Sequence, residues 1–276
     1  MERVVIITGA TSGIGQSAKE LFENAGDIVC SLARHDDGKS KHFFACDVSN
    51  EQSVKEVFDK IKTQFGRIDV LINNAGFGIS GALEFIDTPQ IRDMYDVNLF
   101  GVIYCYKYAL PLMNSGGKII NISSACALFP LPYRGYYCSS KSALSMLSNC
   151  MRMECQPLNI DVVAICPGDV KTNFTKNRVK NFTTNQRYGE RIKYATEGID
   201  SREDKRMKPE CVSRVIYSVA GKRKTRPYYI VGAKYKFLNF VMRFLPVGVL
   251  LYFTEKFFGG HKETKVTIKK GNKNGR

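Results

Sequence analysis

The chain has 276 residues, 44% hydrophobic and 24% charged, so it can bury a sizeable core, and disorder throughout is excluded. Its formal charge of +15 is uneven: residues 1–170 hold 15 Lys and Arg against 18 Asp and Glu, whereas residues 171–276 hold 26 against 8. Attraction to anions therefore belongs to the C-terminal part. Nine cysteines without a C-x-x-C pair lack the spacing of a disulfide framework or a zinc site, and no metal is expected. They sit mostly in apolar segments, where a free thiol acts as a small hydrophobe, and they point to a reducing, cytoplasmic compartment. The first strand is expected within a few residues of Met1, so no leader is expected. The longest uncharged apolar stretch, Phe244 to Thr254, is shorter than the roughly 18–20 residues of a membrane span.

In chain order, Val4-Val5-Ile6-Ile7 is short, continuously apolar and β-branched, as in a strand buried on both faces. It stops at glycines. A helix follows, with Ile14, Ala18, Leu21, Phe22 and Ala25 on one face and Gly26 as its stop. Ile28–Leu32 and His42–Cys46 read as strands. Val54, Val57, Phe58, Ile61 and Phe65 mark a helix, and Val70–Ile72 a strand. Residues 88–112 read as helical, Lys118–Ile122 as a strand, Tyr136–Cys155 as a helix and Ile160–Ile165 as a strand. Strands spaced by helices predict an α/β fold: a doubly wound, Rossmann-like parallel sheet with helices on both faces, whose ligands bind beyond the carboxyl ends of the strands.

After Pro167 the pattern loosens. Residues 173–208 are polar and basic without strong apolar periodicity. A helix is expected from Pro209 and a last strand over Arg226–Val231. We therefore expect a single domain over 1–232 and an aromatic, basic extension over 233–276, with a disordered Lys-rich tail beyond Gly259. In the extension Phe237, Val241, Phe244 and Leu245 fall at helical spacing up to Pro246. Such a face can cover a pocket, join a second subunit or lie on a membrane surface. A pocket cover with weak, reversible membrane contact is the expectation.

Two motifs carry chemistry. Thr8-Gly9-Ala10-Thr11-Ser12-Gly13-Ile14-Gly15 joins the first strand to the first helix, where glycines let backbone N–H groups approach a pyrophosphate at the helix N-terminus. Tyr137 and Lys141, four apart at the start of a helix, share one face. A free phenol has a pKa near 10, and a neighbouring cation favours the phenolate. Thirteen residues upstream, Ser124 follows the strand Lys118–Ile122 at the sheet's carboxyl edge.

These motifs occur together with Asn73-Asn74-Ala75-Gly76, Val97-Asn98-Leu99, Asp47-Val48 after the third strand, and Pro167-Gly168-Asp169-Val170-Lys171-Thr172. In this set the sequence resembles the short-chain dehydrogenase/reductase family in its one-domain branch, closely over residues 3–172 and less so over 209–232. The resemblance implies that Tyr137 is the general acid of ketone reduction and the base of alcohol oxidation. It implies that Lys141 holds the nicotinamide ribose and depresses the Tyr137 pKa. Ser124 would hydrogen-bond the substrate carbonyl, and Asn98 would anchor a water joining Lys141 to solvent. Ser123 and Tyr136 are adjacent rivals, but only Tyr137 has a lysine four residues on, and the family's usual separation then selects Ser124. Tyr133 reads as a pocket wall.

The resemblance also places Gly9, Thr11, Ser12, Gly13, Ile14 and Gly15 at the cofactor, Asp47 and Val48 at its adenine, and Asn74-Ala75-Gly76 under its riboses. Pro167 and Gly168 would floor the nicotinamide, with Val170 and Thr172 near its carboxamide and phosphates. Asn73 reads instead as a tie between strands. At the end of the second strand an NAD-preferring enzyme wants a carboxylate for the ribose 2′-OH; this chain has Ala33-Arg34. A guanidinium suits a 2′-phosphate, so NADP(H) is the expected cofactor, although Ser12 stands in the glycine loop where family members with that preference sometimes carry a second basic residue. The aromatic extension points to a lipophilic ketone or aldehyde and its alcohol, of steroid, retinoid or lipid type. A homodimer or tetramer is expected. The rival functions are a non-catalytic NADP-binding sensor, against which the complete Asn98, Ser124, Tyr137 and Lys141 set argues, and nucleic-acid binding by the basic segment, which lacks any recognisable motif.

Overall fold

Val4–Thr8 forms β1, and all of it is buried. Val4 and Ile6 point to one face of the sheet, Val5 and Ile7 to the other, as the two-residue period of an extended chain requires. Both faces must then be covered. The chain continues through α1 (Gly13–Asn24), β2 (Ile28–Ala33), β3 (His42–Ala45), α2 (Glu51–Phe65), β4 (Ile68–Asn73), β5 (Ile79–Ser80), α3 (Thr88–Tyr95), α4 (Gly101–Ala109), β6 (Met113–Ile122), α5 (Gly135–Cys155) and β7 (Asp161–Pro167). Then come β8 (Val179–Lys180), α6 (Arg191–Asp200), α7 (Pro209–Ala220), β9 (Tyr228–Val231), α8 (Ala233–Met242) and α9 (Val247–Phe258). The computed structural model describes residues 2–175, 177–200 and 206–260; the Lys-rich tail from residue 261 lies outside them.

Seven strands form one parallel sheet in the order β3-β2-β1-β4-β6-β7-β9. α1 and α7 cover one face through Ala18, Phe22, Val212 and Ile216. α2, α4 and α5 cover the other through Val54, Phe58, Cys105 and Met151. This is the doubly wound, Rossmann-like single domain that the strand–helix alternation predicts. The strand order reverses between β1 and β4, and the crevice of such a fold opens at the carboxyl ends of that pair.

The structure departs from the sequence expectation in several places. The helical run over 88–112 is broken by a π-turn, Asp96–Phe100, between α3 and α4. β6 starts at Met113, through a register irregularity against β4. Residues 173–208 hold β8 and α6, which have no counterpart in the sequence reading. β8 is a two-residue strand paired with β5, and α6 buries Ile192 and Ala195, too few apolar positions to reveal a period.

Asn73 is a strand tie, as expected. Its Nδ2 donates to Asn121 Oδ1 (2.8 Å), Asn121 Nδ2 donates to Ser148 Oγ (2.9 Å), and Ser148 Oγ donates to the Leu144 carbonyl (2.7 Å). This buried ladder fastens β4 and β6 to α5, the helix that carries Tyr137 and Lys141.

Candidate active site

The loop from β1 to α1 is held open by its glycines. Gly9 and Gly13 have φ of +64° and +56°, a region that residues with a Cβ avoid. A Cβ on Gly15 would lie 2.2 Å from the Gly9 carbonyl oxygen. Ser12 is the N-cap of α1, but its side chain makes no capping hydrogen bond, and the first turn carries no acidic residue. The amides of that turn therefore face the crevice with no fixed negative charge among them, which suits a pyrophosphate.

The opposite lip comes from β4. Thr8 Oγ1 accepts the N–H groups of Asn74 and Ala75, each at 3.0 Å, and Asn74 Nδ2 donates to the carbonyls of Thr8 (3.0 Å) and Gly9 (3.1 Å). Farther along the crevice, Arg34 stands exposed just after β2. Asp47 is braced by the N–H (3.0 Å) and hydroxyl (2.7 Å) of Ser49.

Ser124, Tyr137 and Lys141 meet at the inner end. Ser124 follows β6, and its hydroxyl accepts the Cys126 N–H at 3.2 Å. Lys141 is buried; its Nζ donates to the Ile122 carbonyl at 3.0 Å, and a Cβ on Gly76 would lie 3.4 Å from that Nζ. The Tyr137 ring packs against Phe174 with centroids 5.6 Å apart. Of the adjacent rivals, Ser123 is engaged within the core by the Lys141 carbonyl (3.0 Å) and Ser145 (2.7 Å), and the Tyr136 hydroxyl donates to the Leu83 carbonyl (3.3 Å).

One cavity of about 810 Å³ joins these parts. It is lined by Gly9, Thr11, Ser12, Gly13, Ile14, Arg34, Asp47, Val48, Asn74, Ala75, Gly76, Ser124, Tyr137, Lys141, Pro167, Gly168, Val170 and Thr172. Two residues expected at the site stand behind its wall. Gly15 acts by letting α1 approach Gly9. Asn98, fully buried in the π-turn, accepts the Phe77 N–H (3.0 Å) and donates to the Phe77 carbonyl (2.9 Å) and to Ser140 (3.2 Å); it braces the segment after Gly76. Tyr133, expected as a pocket wall, is not among the residues that line this cavity; its ring lies 6.3 Å from that of Tyr188.

Sequence reasoning missed part of the lining, including Phe129, Leu131, Arg134, Phe174 and Arg178. It also chose the wrong face of α8. Phe237 and Phe244 are 71% and 73% exposed, while Tyr235, Leu238 and Met242 pack inward on Phe129, Leu131 and Cys138. Tyr235 packs against Gly168, where a Cβ would meet its ring at 2.0 Å, and its hydroxyl donates to Asp169 Oδ2 (2.6 Å). Tyr235 and Leu238, with Phe258 of α9, line the cavity. Both α8 faces are apolar, so spacing alone cannot choose between them.

The electrostatics differ from the expected Lys141 effect. Burial pushes the Tyr137 phenol up, against opposing pulls from the Ser124 hydroxyl and Arg178. Burial also lowers Lys141 to about 8, so in the protein alone the ammonium is itself destabilised, and it spends a donor on Ile122 rather than on the phenol. The thiol of Cys126 is drawn down by its hydrogen bond with Cys138, helped by Ser124 and Arg134.

The comparisons with known proteins bear on this arrangement. The family model described as short chain dehydrogenase matches residues 3–182. A 3-ketodihydrosphingosine reductase of Bacteroides thetaiotaomicron is 35% identical over 233 residues, 82% of this chain and 86% of that protein. A short-chain dehydrogenase from Streptomyces avermitilis superposes with a TM-score of 0.78 at 27% identity, over 95% of this chain and 99% of that one. ElxO with NADP bound superposes with a TM-score of 0.71 at 27% identity, over 86% and 100%. A doubly wound sheet with a glycine-lined crevice and a Tyr–Lys pair at its inner end defines a nicotinamide-dependent oxidoreductase. The chain belongs to the short-chain dehydrogenase/reductase family, enzymes that act on CH–OH groups.

The buried lysine has a measurable consequence. Its folded-state value of about 8 lies below the 10.5 of a free lysine, so across that window the unfolded chain binds more protons than the folded one. Unfolding free energy contributed by Lys141 should then rise with pH from about 8 towards about 10, above which unfolded tyrosines also titrate. Urea titrations of the cofactor-free protein should show this rise, and Lys141→Met should flatten it. An unchanged slope in the variant would place the proton uptake elsewhere.

Proposed function

We propose that the protein is an NADP(H)-dependent oxidoreductase that interconverts a lipophilic, long-chain ketone and its alcohol, with Tyr137 as the acid–base group. The observation that carries this reading is that Ser124, Tyr137 and Lys141 converge on the cavity lined by the glycine loop. The nicotinamide supplies or accepts the hydride when bound. Tyr137 gives its proton to the substrate oxygen during reduction, and its raised pKa keeps that proton on the phenol at neutral pH. Ser124 donates a hydrogen bond to the same oxygen. Lys141, beside Gly76, would lie against the nicotinamide ribose, where a ligand oxygen compensates its burial.

The guanidinium of Arg34 at the rim, in the place where an acidic residue would select NAD, supports NADP(H). Apolar walls from Phe129, Leu131, Phe174, Leu238 and Phe258 support a lipophilic substrate, as does the Bacteroides relative named for a keto substrate. Residues 1–232 would then be the catalytic domain, and α8 and α9 of the extension its pocket cover. A sensor that only binds NADP would have no use for a phenol and a serine at the nicotinamide end.

The outer side of the cover suits a lipid surface. Phe237, Phe240, Phe244, Val247, Phe253 and Phe257 stand exposed there, among the exposed cations Lys234, Lys236, Arg243 and Lys256. Residues 233–276 carry 10 Lys and Arg against 2 Asp and Glu. A second copy would bring like charge against this face; acidic lipid brings the opposite charge. Among the described residues no helix is long and apolar enough to cross a membrane, so attachment would be interfacial and reversible, and a homodimer or tetramer would use another surface. The nine free thiols suit the cytoplasmic side.

Three measurements test these points. Tyr137→Phe should keep NADPH binding and lower kcat by about 10²–10⁴-fold on a long-chain ketone; near-full turnover would remove the proton role. Arg34→Asp should turn the preference from NADPH towards NADH, and a wild-type protein that already favours NADH would show the assignment to be wrong. In flotation with phosphatidylglycerol-containing vesicles at low salt, where charge is least screened, the full chain should rise with the lipid and Phe240→Glu/Phe244→Glu should stay behind. A variant that instead turns a dimer into a monomer would make the face a subunit contact.

A further inference from the structure

Arg134 is a buried cation whose Nη2 finds no hydrogen-bond partner among the described residues. It stands at the N-cap of α5, 6% exposed, and lines the cavity together with Ser124, Tyr137 and Leu131. Its backbone is fully engaged: its N–H donates to the Leu131 carbonyl (3.2 Å) and its carbonyl accepts the Cys138 N–H (2.9 Å). These bonds, rather than the side chain, shape the turn. Its Nη2 is buried without a hydrogen-bond partner, and no ion pair between described residues includes it. Asp169, which also lines the cavity, accepts the Tyr235 hydroxyl (2.6 Å). The thiols of Cys126 and Cys138, close in sequence to Ser124 and Tyr137, feel the guanidinium's charge.

An unanswered buried charge is costly to fold, and burying a guanidinium without a partner leaves its donors free for a ligand. Its planar fork matches a carboxylate or phosphate with two parallel hydrogen bonds. Arg178 and Arg206 line the same cavity, as do the carboxylates of Asp47, Asp93, Asp96 and Asp169; among these charged groups it is Arg134 whose buried nitrogen has no partner among the described residues.

We propose that Arg134 is the headgroup site of the substrate pocket: it binds the carboxylate or phosphate of an amphiphilic ketone whose chain lies along Phe129, Leu131, Leu238 and Phe258. This rests on the reading of the site as a reductase of long-chain ketones and narrows that class to anion-headed members. The carbonyl to be reduced sits between the head and the tail, where Ser124 and Tyr137 reach it, so Arg134 sets the register of the chain in the pocket.

The test is an equilibrium one on the full chain saturated with NADP⁺, which does not depend on turnover. Calorimetric titration with dodecanoate, dodecyl phosphate, dodecanol and dodecylamine, below their aggregation limits, should give at least one anion about tenfold or more tighter binding than the alcohol. The carboxylate and phosphate arms tell which head is preferred. Arg134→Met should erase the difference, and Arg134→Lys should keep part of it, as a point charge without the fork. Because the variant removes an unpaired buried charge, ligand-free Arg134→Met should melt at or above the wild-type temperature, an outcome that a purely structural arginine would reverse. In kinetics with an oxo fatty acid and its methyl ester, Arg134→Met should raise KM for the acid about tenfold with little change in kcat, and shift KM for the ester far less. Equal binding of alcohol and anions, an anion preference that survives Arg134→Met, or no binding of either anion would overturn the proposal. A wild-type protein inactive on every ketone would remove the catalytic reading while leaving the titration to stand or fall by itself.

Discussion

Thr8 and Asn74 join the carboxyl ends of β1 and β4, and both halves of the active site hang from that join. One threonine hydroxyl accepts two successive amides, and one asparagine side chain donates to two successive carbonyls. Strands that are neighbours in the sheet but run into crossovers of opposite direction must part here, which exposes backbone groups that the sheet no longer pairs. The Thr8–Asn74 bonds satisfy some of them and hold the crevice at a fixed width. The glycine loop then folds over one lip without side chains, while Gly76 carries the other lip past Lys141. A bulkier residue at either lip would close the crevice before any ligand reached it.

Behind the join, a polar seam runs through the core. Asn73, Asn121 and Ser148 tie the two central strands to α5, and Asn98 braces the segment after Gly76 from a π-turn. α5 thus cannot slide along the sheet, and Tyr137 keeps its distance from Ser124. The two ionisable groups of the site sit in the same dry environment with opposite consequences: burial raises the phenol and lowers the ammonium, because each is pushed towards its neutral form. In the protein alone the pair is therefore closer to neutral than the Tyr–Lys spacing suggests. A ligand that brings hydroxyl and phosphate oxygens into the cavity changes that balance.

How much of this could be read from the sequence follows from the range of the interactions involved. β1, α1 and the glycine turn between them announce themselves because apolar run, period and turn chemistry are local, and the same holds for the Tyr137–Lys141 spacing on one helix. Asn98 was legible only through family resemblance; that it braces a loop rather than lines the cavity needs coordinates. Arg134 gives no signal at all, since an arginine before a helix usually sits in water. The apolar face of α8 was misassigned. Tyr235, Leu238 and Met242 repeat at helical spacing as well as Phe237, Val241 and Phe244 do, and only the wall formed by Phe129 and Leu131 decides which set turns inward.

That choice of face gives α8 and α9 two surfaces of different chemistry a helix diameter apart. The inner one, through Tyr235, Leu238 and Phe258, completes the cavity next to Ser124 and Tyr137. The outer one exposes phenylalanines in a setting of lysine and arginine. A soluble substrate needs only the inner surface; an exposed aromatic face of this extent carries a standing risk of aggregation unless something covers it. Acidic lipid would cover it and would also hold, in the same plane, amphiphiles whose negative heads match the guanidinium of Arg134 in the cavity. The charge outside and the charge inside then select for the same kind of molecule. A ketone with a long chain and an anionic head could pass from the lipid surface into the pocket without its tail crossing bulk water, and its head would leave one field of cations only to enter another.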